Sequence, residues 1–246
     1  MLDIPIEDLI SVLFIMIAVI LTMMISIKSF KSYKANKAAL TVIIAVSAFF
    51  VSLAMIFLTA EKALFTEAFF NDKVGIFCGG IAIVFSGAAV LSFCLFAYQM
   101  AFPTRTKILG ILSAIPIAFY VIIWLTDESK FVTPPPHEIG FGFMFGIDQF
   151  TPILAYFTLV PLFSVPIIIL FYYAMKVRKE SGLKSKRAAG LGVGGLALAS
   201  AYIMEIIGLD PTSTIVIIII VVFRFLFVVA GIFFYWALFK LKSKEQ

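Results

Sequence analysis

The chain has 246 residues, 63% hydrophobic and 13% charged, with a formal net charge of +5. A soluble domain of this size carries about a quarter charged residues. There is too little polar side chain here to coat a globule in water, so most of the surface must face lipid. The length holds one compact membrane domain and leaves room for little else.

The chain starts with "MLDIPIEDLI", which lacks the positive n-region of a cleaved signal peptide. Its acids precede the first apolar run and lysines follow it, as in a retained helix inserted with its N-terminus outside. A helix of about 20 apolar residues crosses the hydrocarbon core. Seven such stretches occur, approximately at 8–27, 39–60, 74–100, 108–126, 150–175, 188–208 and 213–238. They are too long and too uniformly apolar for the alternating strands of a membrane β-barrel. The expected fold is an all-α membrane protein, a seven-transmembrane-helix bundle forming a single domain.

Charge placement tests that count. Lys28, Lys31, Lys34 and Lys37 fall after the first span, and Arg105 and Lys107 after the third. Lys176, Arg178, Lys179, Lys184, Lys186 and Arg187 fall after the fifth, and Lys240, Lys242 and Lys244 after the seventh. Only Lys62, Lys73 and Lys130 fall on the other side, where most of the acids lie. The positive-inside rule then puts the N-terminus outside and the C-terminus in the cytoplasm of a multi-pass cell-membrane protein. An even number of spans would scramble the alternation. The net charge is a topology signal, helped by anionic lipid at the cytoplasmic face, and calls for no nucleic-acid partner.

Cys78 and Cys94 share one span, sixteen positions apart. That is about 24 Å along a helix, beyond the reach of a disulfide, so both are expected to be buried packing residues. His137 stands alone in a proline-rich connection, and no metal-ligand spacing exists. That connection, "DESKFVTPPPHEIGFGFMFGIDQ" over residues 127–149, alternates Phe141, Phe143 and Phe145 with smaller residues. Period-two alternation predicts a short hairpin with one aromatic face, either an interfacial cap or a lid over the outer mouth of the bundle.

The fifth span contains "YFTLVPLFSVPIIIL", in which Pro161 and Pro166 are expected bend points that free the carbonyls of Phe157 and Leu162. The sixth opens with "AAGLGVGGLALASA". Its Gly190 and Gly194 have the GxxxG spacing that permits close helix approach, within the bundle or between two copies. The seventh span carries Arg224, about 15 Å from its outer end at 1.5 Å per residue. An arginine there costs about 2.5–3.5 kcal/mol even on insertion scales, so it should face the interior. Glu205 lies in the sixth span, with Tyr202 one turn deeper on the same face, and the Leu162 oxygen falls at a similar depth to Arg224. Three readings stay open for Arg224, Tyr202 and Glu205: a structural ion pair, a polar-ligand site open to the outer face, or a transport relay. No nucleophile–base pair, carboxylate cluster or metal motif marks a catalytic centre, so the chain is not expected to be an enzyme.

Seven spans with the N-terminus outside are similar in layout to the microbial rhodopsins, which bind retinal through a lysine in the seventh span. Here that span has Arg224 and no lysine before Lys240. An arginine stays protonated and forms no Schiff base, so no retinal and no other cofactor is expected. The acid–Arg–Tyr and Asn-Pro-x-x-Tyr motifs of eukaryotic G-protein-coupled receptors are also absent. The stretch from "SKRAAGLGVGGLALASAYIMEIIGLDPTS" to "FVVAGIFFYWALFKLK" resembles the last two helices of the seven-helix sensory region found N-terminal to prokaryotic histidine kinases. The basic connection into helix six, the short Gly/Pro-type outer turn and the aromatic–Ala–Leu–Phe ending carry the likeness. Only "KLKSKEQ" follows helix seven, so the resemblance implies a stand-alone sensor-like or receptor-like module. Such a module would signal to a separate cytoplasmic partner through the basic connection 176–187. The alternatives are an assembly subunit of a membrane complex and a small transporter or channel.

Overall fold

The computed structural model describes residues 6–64, 72–126, 150–207 and 214–241. Seven long helices account for nearly all of them. They are α1 (Ile6–Asn36), α2 (Ala39–Leu64), α3 (Asp72–Ala101), α4 (Thr106–Thr126), α5 (Phe150–Lys176), α6 (Gly182–Ile207) and α7 (Thr214–Tyr235). A single π turn, Trp236–Lys240, continues α7. On length and composition α1, α2, α3, α6 and α7 can each cross a bilayer, and α5 carries a shorter apolar stretch, Pro161–Lys176. The expected hairpin with Phe141, Phe143 and Phe145 lies outside the described residues.

Several helices outrun the apolar windows. Lys28, Lys31 and Lys34 belong to α1, and Lys184, Lys186 and Arg187 belong to α6. Of the basic residues expected between the fifth and sixth spans, Lys176 ends α5 and only Arg178 and Lys179 lie in the turn. Lysine and arginine are good helix formers. Their stems lie along apolar surface while the charged ends stay in water, so a helix need not stop where its hydrophobicity does. Between α1 and α2 the chain reverses at Lys37, which takes the left-handed conformation with φ 54°. There the Ala38 N–H donates to Asn36 Oδ1 at 2.9 Å.

Contacts fix the direction of each helix. Thr22 meets Ser52, and Ser26 meets the Ala45 carbonyl, so α1 and α2 are antiparallel. Phe14 packs on Phe225, and Lys28 reaches Tyr235, so α1 and α7 are parallel. Cys94 meets Leu162 and Phe102 stacks on Tyr172, so α3 and α5 are parallel too. Helices α1, α2, α3, α5, α6 and α7 form a closed ring, each packed on the next and α7 on α1. Helix α4 lies outside that ring against α3 and α5. Its outer face, with Ile111 64% exposed, is bare hydrocarbon, as are Met175 on α5 and Ile215 on α7 at 70% and 71%. This is the inverted surface of a helical membrane protein.

In lipid no hydrophobic force drives helices together, so close packing and interhelical hydrogen bonds must do it. Gly190 and Gly194 lie against α7, within the molecule. A Cβ on Gly194 would stand 3.3 Å from the Ala230 carbonyl oxygen, and one on Gly190 would stand 3.0 Å from the Trp236 ring. Hydroxyls link the other neighbours: Ser47 Oγ donates to the Ala89 carbonyl at 3.2 Å, and Tyr98 Oη pairs with Ser113 Oγ at 2.8 Å. Gly194→Leu is expected to destabilise the bundle by about 1–3 kcal/mol through overpacking, read as a lower thermal midpoint in detergent. Gly182→Ala, where a Cβ meets open space, should change stability by less than about 1 kcal/mol.

Candidate functional site

The ring encloses a half-open cavity of about 80 Å³. It exists because the helices turn small side chains inward. On α2 the lining residues recur at alternating three- and four-residue steps from Ile44 through Ala48 and Val51 to Leu58, which is one helix face. On α3 they run from Ala82 to Phe93, and on α7 from Phe227 to Phe234. At 1.5 Å per residue the α2 face alone spans about 21 Å, so a small volume is drawn out into a narrow slot along the helix axes. Helix α4 contributes nothing to its lining.

The slot's polar groups are largely committed to the protein. Thr22 Oγ1 lies 2.8 Å from the Ala18 carbonyl oxygen and 2.7 Å from Ser52 Oγ, and Ser52 Oγ in turn lies 2.9 Å from the Ala48 carbonyl. Ser47 donates to Ala89, as above, and Ser86 Oγ donates to the Ala82 carbonyl at 2.8 Å. Such back-bonding satisfies hydroxyls inside membrane helices. It leaves a wall that is apolar apart from oxygen lone pairs. One end, toward the C-terminus of α7, is floored by Phe93 and Phe234 in edge-to-face contact, centroids 5.7 Å apart.

The other end leads to Arg224. Its side chain is 2% exposed and is the largest of the fully buried ones. It shares a face of α7 with Phe227, Val228 and Gly231, all buried or inward-facing. Phe227 and Gly231 line the slot, and Arg224 lies one turn beyond Phe227. Phe227 packs with Ile15, Ala18, Met55 and Ala201, so three other helices surround that level of α7. Tyr202 lines the slot and packs on Phe163 with ring centroids 5.2 Å apart. Arg224 and Tyr202 are both engaged within the fold.

The register of α6 against α7, set by Gly194 at Ala230 and Gly190 at Ala237, brings the Tyr202 and Arg224 backbone positions to about the same level. Glu205 follows on α6 one turn nearer the end that bears the chain's N-terminus; its side chain lies outside the described residues. Helix α5 runs on through both Pro161 and Pro166, with Pro161 exposed and Pro166 buried. The Leu162 carbonyl that Pro166 cannot satisfy lies 3.4 Å from the Cys94 thiol. Cys78 and Cys94 are buried free thiols.

At the opposite end the basic residues form a second polar zone. Arg187 Nη2 donates to the Leu241 carbonyl at 2.6 Å, just where the π turn closes with the Leu241 N–H on the Trp236 carbonyl at 3.2 Å. Lys28 Nζ donates to Tyr235 Oη and lies 4.6 Å from that ring's centroid. Sequence reasoning missed the slot and the Lys28–Tyr235 link. Its signal was the inward stripe of small residues on α2 and α3, which reads the same whether neighbours fill the space or leave it.

The fold and its exposed apolar surface define a helical membrane protein. No family model, curated protein or solved structure matches the chain, so the reading of the site rests on its own geometry.

Filling the slot should favour the folded state. Ala48→Val places methyl groups in the cavity and is expected to add about 0.5–2 kcal/mol, checked as a rise in thermal midpoint relative to the parent protein.

Proposed function

We propose that the protein is a seven-span receptor-like module of the cell membrane whose central slot takes a lipid-borne or external ligand, and which signals to a separate cytoplasmic partner. The observation that carries this reading is the slot itself. It is a narrow apolar cavity walled by six helices, with a floor of aromatic rings and a buried arginine just beyond its other end. A subunit kept only for assembly gains nothing from unfilled space, since voids in a core are destabilising. A transporter or channel for polar solutes would need polar groups free to replace water, whereas the hydroxyls of the slot are bonded to main chain or to each other.

The orientation follows from charge. The alternating helices gather Lys28, Lys31, Lys34, Lys176, Arg178, Lys179, Lys184, Lys186 and Arg187 at the end opposite the N-terminus, which is the cytoplasmic end under the positive-inside rule. Tyr202, Arg224 and Glu205 then belong to the outer half. Signal transfer runs along α7: a ligand spreading the slot presses on Phe227 and Phe234, and α7 meets the basic end through the π turn, Lys28 and Arg187. π turns commonly mark functional positions in helices because they carry one residue more than a regular turn needs. A cytoplasmic partner docking on this end would read a change in the spacing of basic residues on α1 and α6.

The test uses exposed positions at the basic end. Spin labels on Lys34→Cys and Lys186→Cys report the α1–α6 distance with and without Ala48→Leu, which fills the slot in place of ligand. A shift of about 2 Å or more is the expected result. Superimposable distance distributions would remove the coupling between slot and basic end and leave assembly as the better reading.

A further inference from the structure

The slot differs in chemistry from end to end, and that difference specifies a class of ligand. Its floor is the Phe93–Phe234 contact, with no charged group among its lining residues. Its walls carry alanine, branched aliphatic and aromatic side chains, and their hydroxyls Thr22, Ser47 and Ser86 are bonded within the protein. A hydroxyl that donates to a carbonyl keeps a lone pair but has no proton left to give. An anionic or carbonyl head group inside the slot would therefore find no donor on these residues.

The donor-rich group is at the other end. Arg224 sits on the slot-facing side of α7 one turn beyond Phe227, at the level of Tyr202 and almost entirely shielded from solvent. A guanidinium has five N–H donors in a planar fork that suits two carboxylate oxygens. Its existing engagement in the fold does not use that capacity up. The volume, about 80 Å³ stretched over roughly 20 Å of helix, suits one extended hydrocarbon chain and is too thin for two chains or a fused-ring body.

We infer that the slot binds a single-chain carboxylate of the fatty-acid class. Its chain lies between α2, α3 and α7 with the tail against Phe93 and Phe234, and its carboxylate lies at Arg224. This rests on the slot being the ligand site proposed above and adds the identity of the ligand class. Binding would be selective for head-group charge because the alternative, an uncharged head of the same chain length, leaves the guanidinium with one fewer anionic partner in a site shielded from water.

Binding of radiolabelled dodecanoate to the full chain in phosphatidylcholine nanodiscs, against empty nanodiscs, tests this directly, with unlabelled dodecanol as competitor. The expected result is saturable binding that dodecanol displaces about tenfold or more less well than dodecanoate. In Arg224→Gln the two competitors should become equivalent. Equal competition in the parent protein would overturn the carboxylate assignment while leaving the slot as a ligand site. No saturable binding above empty nanodiscs would overturn the inference altogether. The spin-label distances, which need no ligand, separately decide whether the receptor reading falls with it. Should Arg224→Gln fail to fold, Ala82→Leu narrows the slot without touching the arginine and must abolish dodecanoate binding. Unchanged binding in that variant would place the ligand elsewhere and overturn the proposal.

Discussion

The close approach of α6 to α7 is the constraint on which the rest of the bundle depends. In lipid, association rests on van der Waals contact and on hydrogen bonds whose net worth averages only about 0.6 kcal/mol each. Glycines at 190 and 194 let the α6 backbone come within contact of the Ala230 carbonyl and the Trp236 ring. Gly231 does the same for α7 against Leu21 of α1, where a Cβ would meet that side chain at 3.0 Å. Helix α7 is thus held tightly on both flanks, and the ring closes. Once it is closed, six helices cannot all be in contact along a common axis, and the small residues of α2 and α3 leave the slot unfilled rather than collapsed.

Arg224 is intelligible against that background. Burying a guanidinium among apolar helices is costly unless it is hydrogen-bonded, and a ring held together by glycine contacts does not need a charge to set its register. Keeping the charge beside a cavity whose other polar groups are already bonded concentrates the donor capacity of the interior in one place. The same residue thus accounts for a cost in stability and for a gain in selectivity, a pairing common where function requires strain or buried charge.

Much of this was legible in the amino-acid order. Helix number and direction follow from apolar windows and from the sides on which lysines fall, and the burial of Arg224 follows from its cost in lipid. Helix ends were less legible, because Lys28, Lys31, Lys34, Lys184, Lys186 and Arg187 continue helices that hydropathy alone would stop. Pro166 announces an unsatisfied carbonyl at Leu162, yet the thiol it meets, Cys94, could not be named without knowing that α3 and α5 lie side by side with α4 displaced outward. The slot was illegible for a simpler reason. Ala48, Ala82 and Ala89 mark close packing when a partner is large and empty space when it is not, and the choice belongs to the neighbours' placement.

The link between Lys28 and Tyr235 joins positions 207 residues apart, and it sits where the first and last helices of the ring meet. Contacts so distant along the chain form late. A ribosome delivering this protein to the membrane would insert α1 and then hold it with an unmatched flank while five more helices follow. Until α7 arrives, the inward faces of α1 and α6 at this seam are open to surrounding lipid. The bilayer's own acyl chains are therefore the first occupants of the space that later becomes the slot, and closure of the seam must either expel them or trap one.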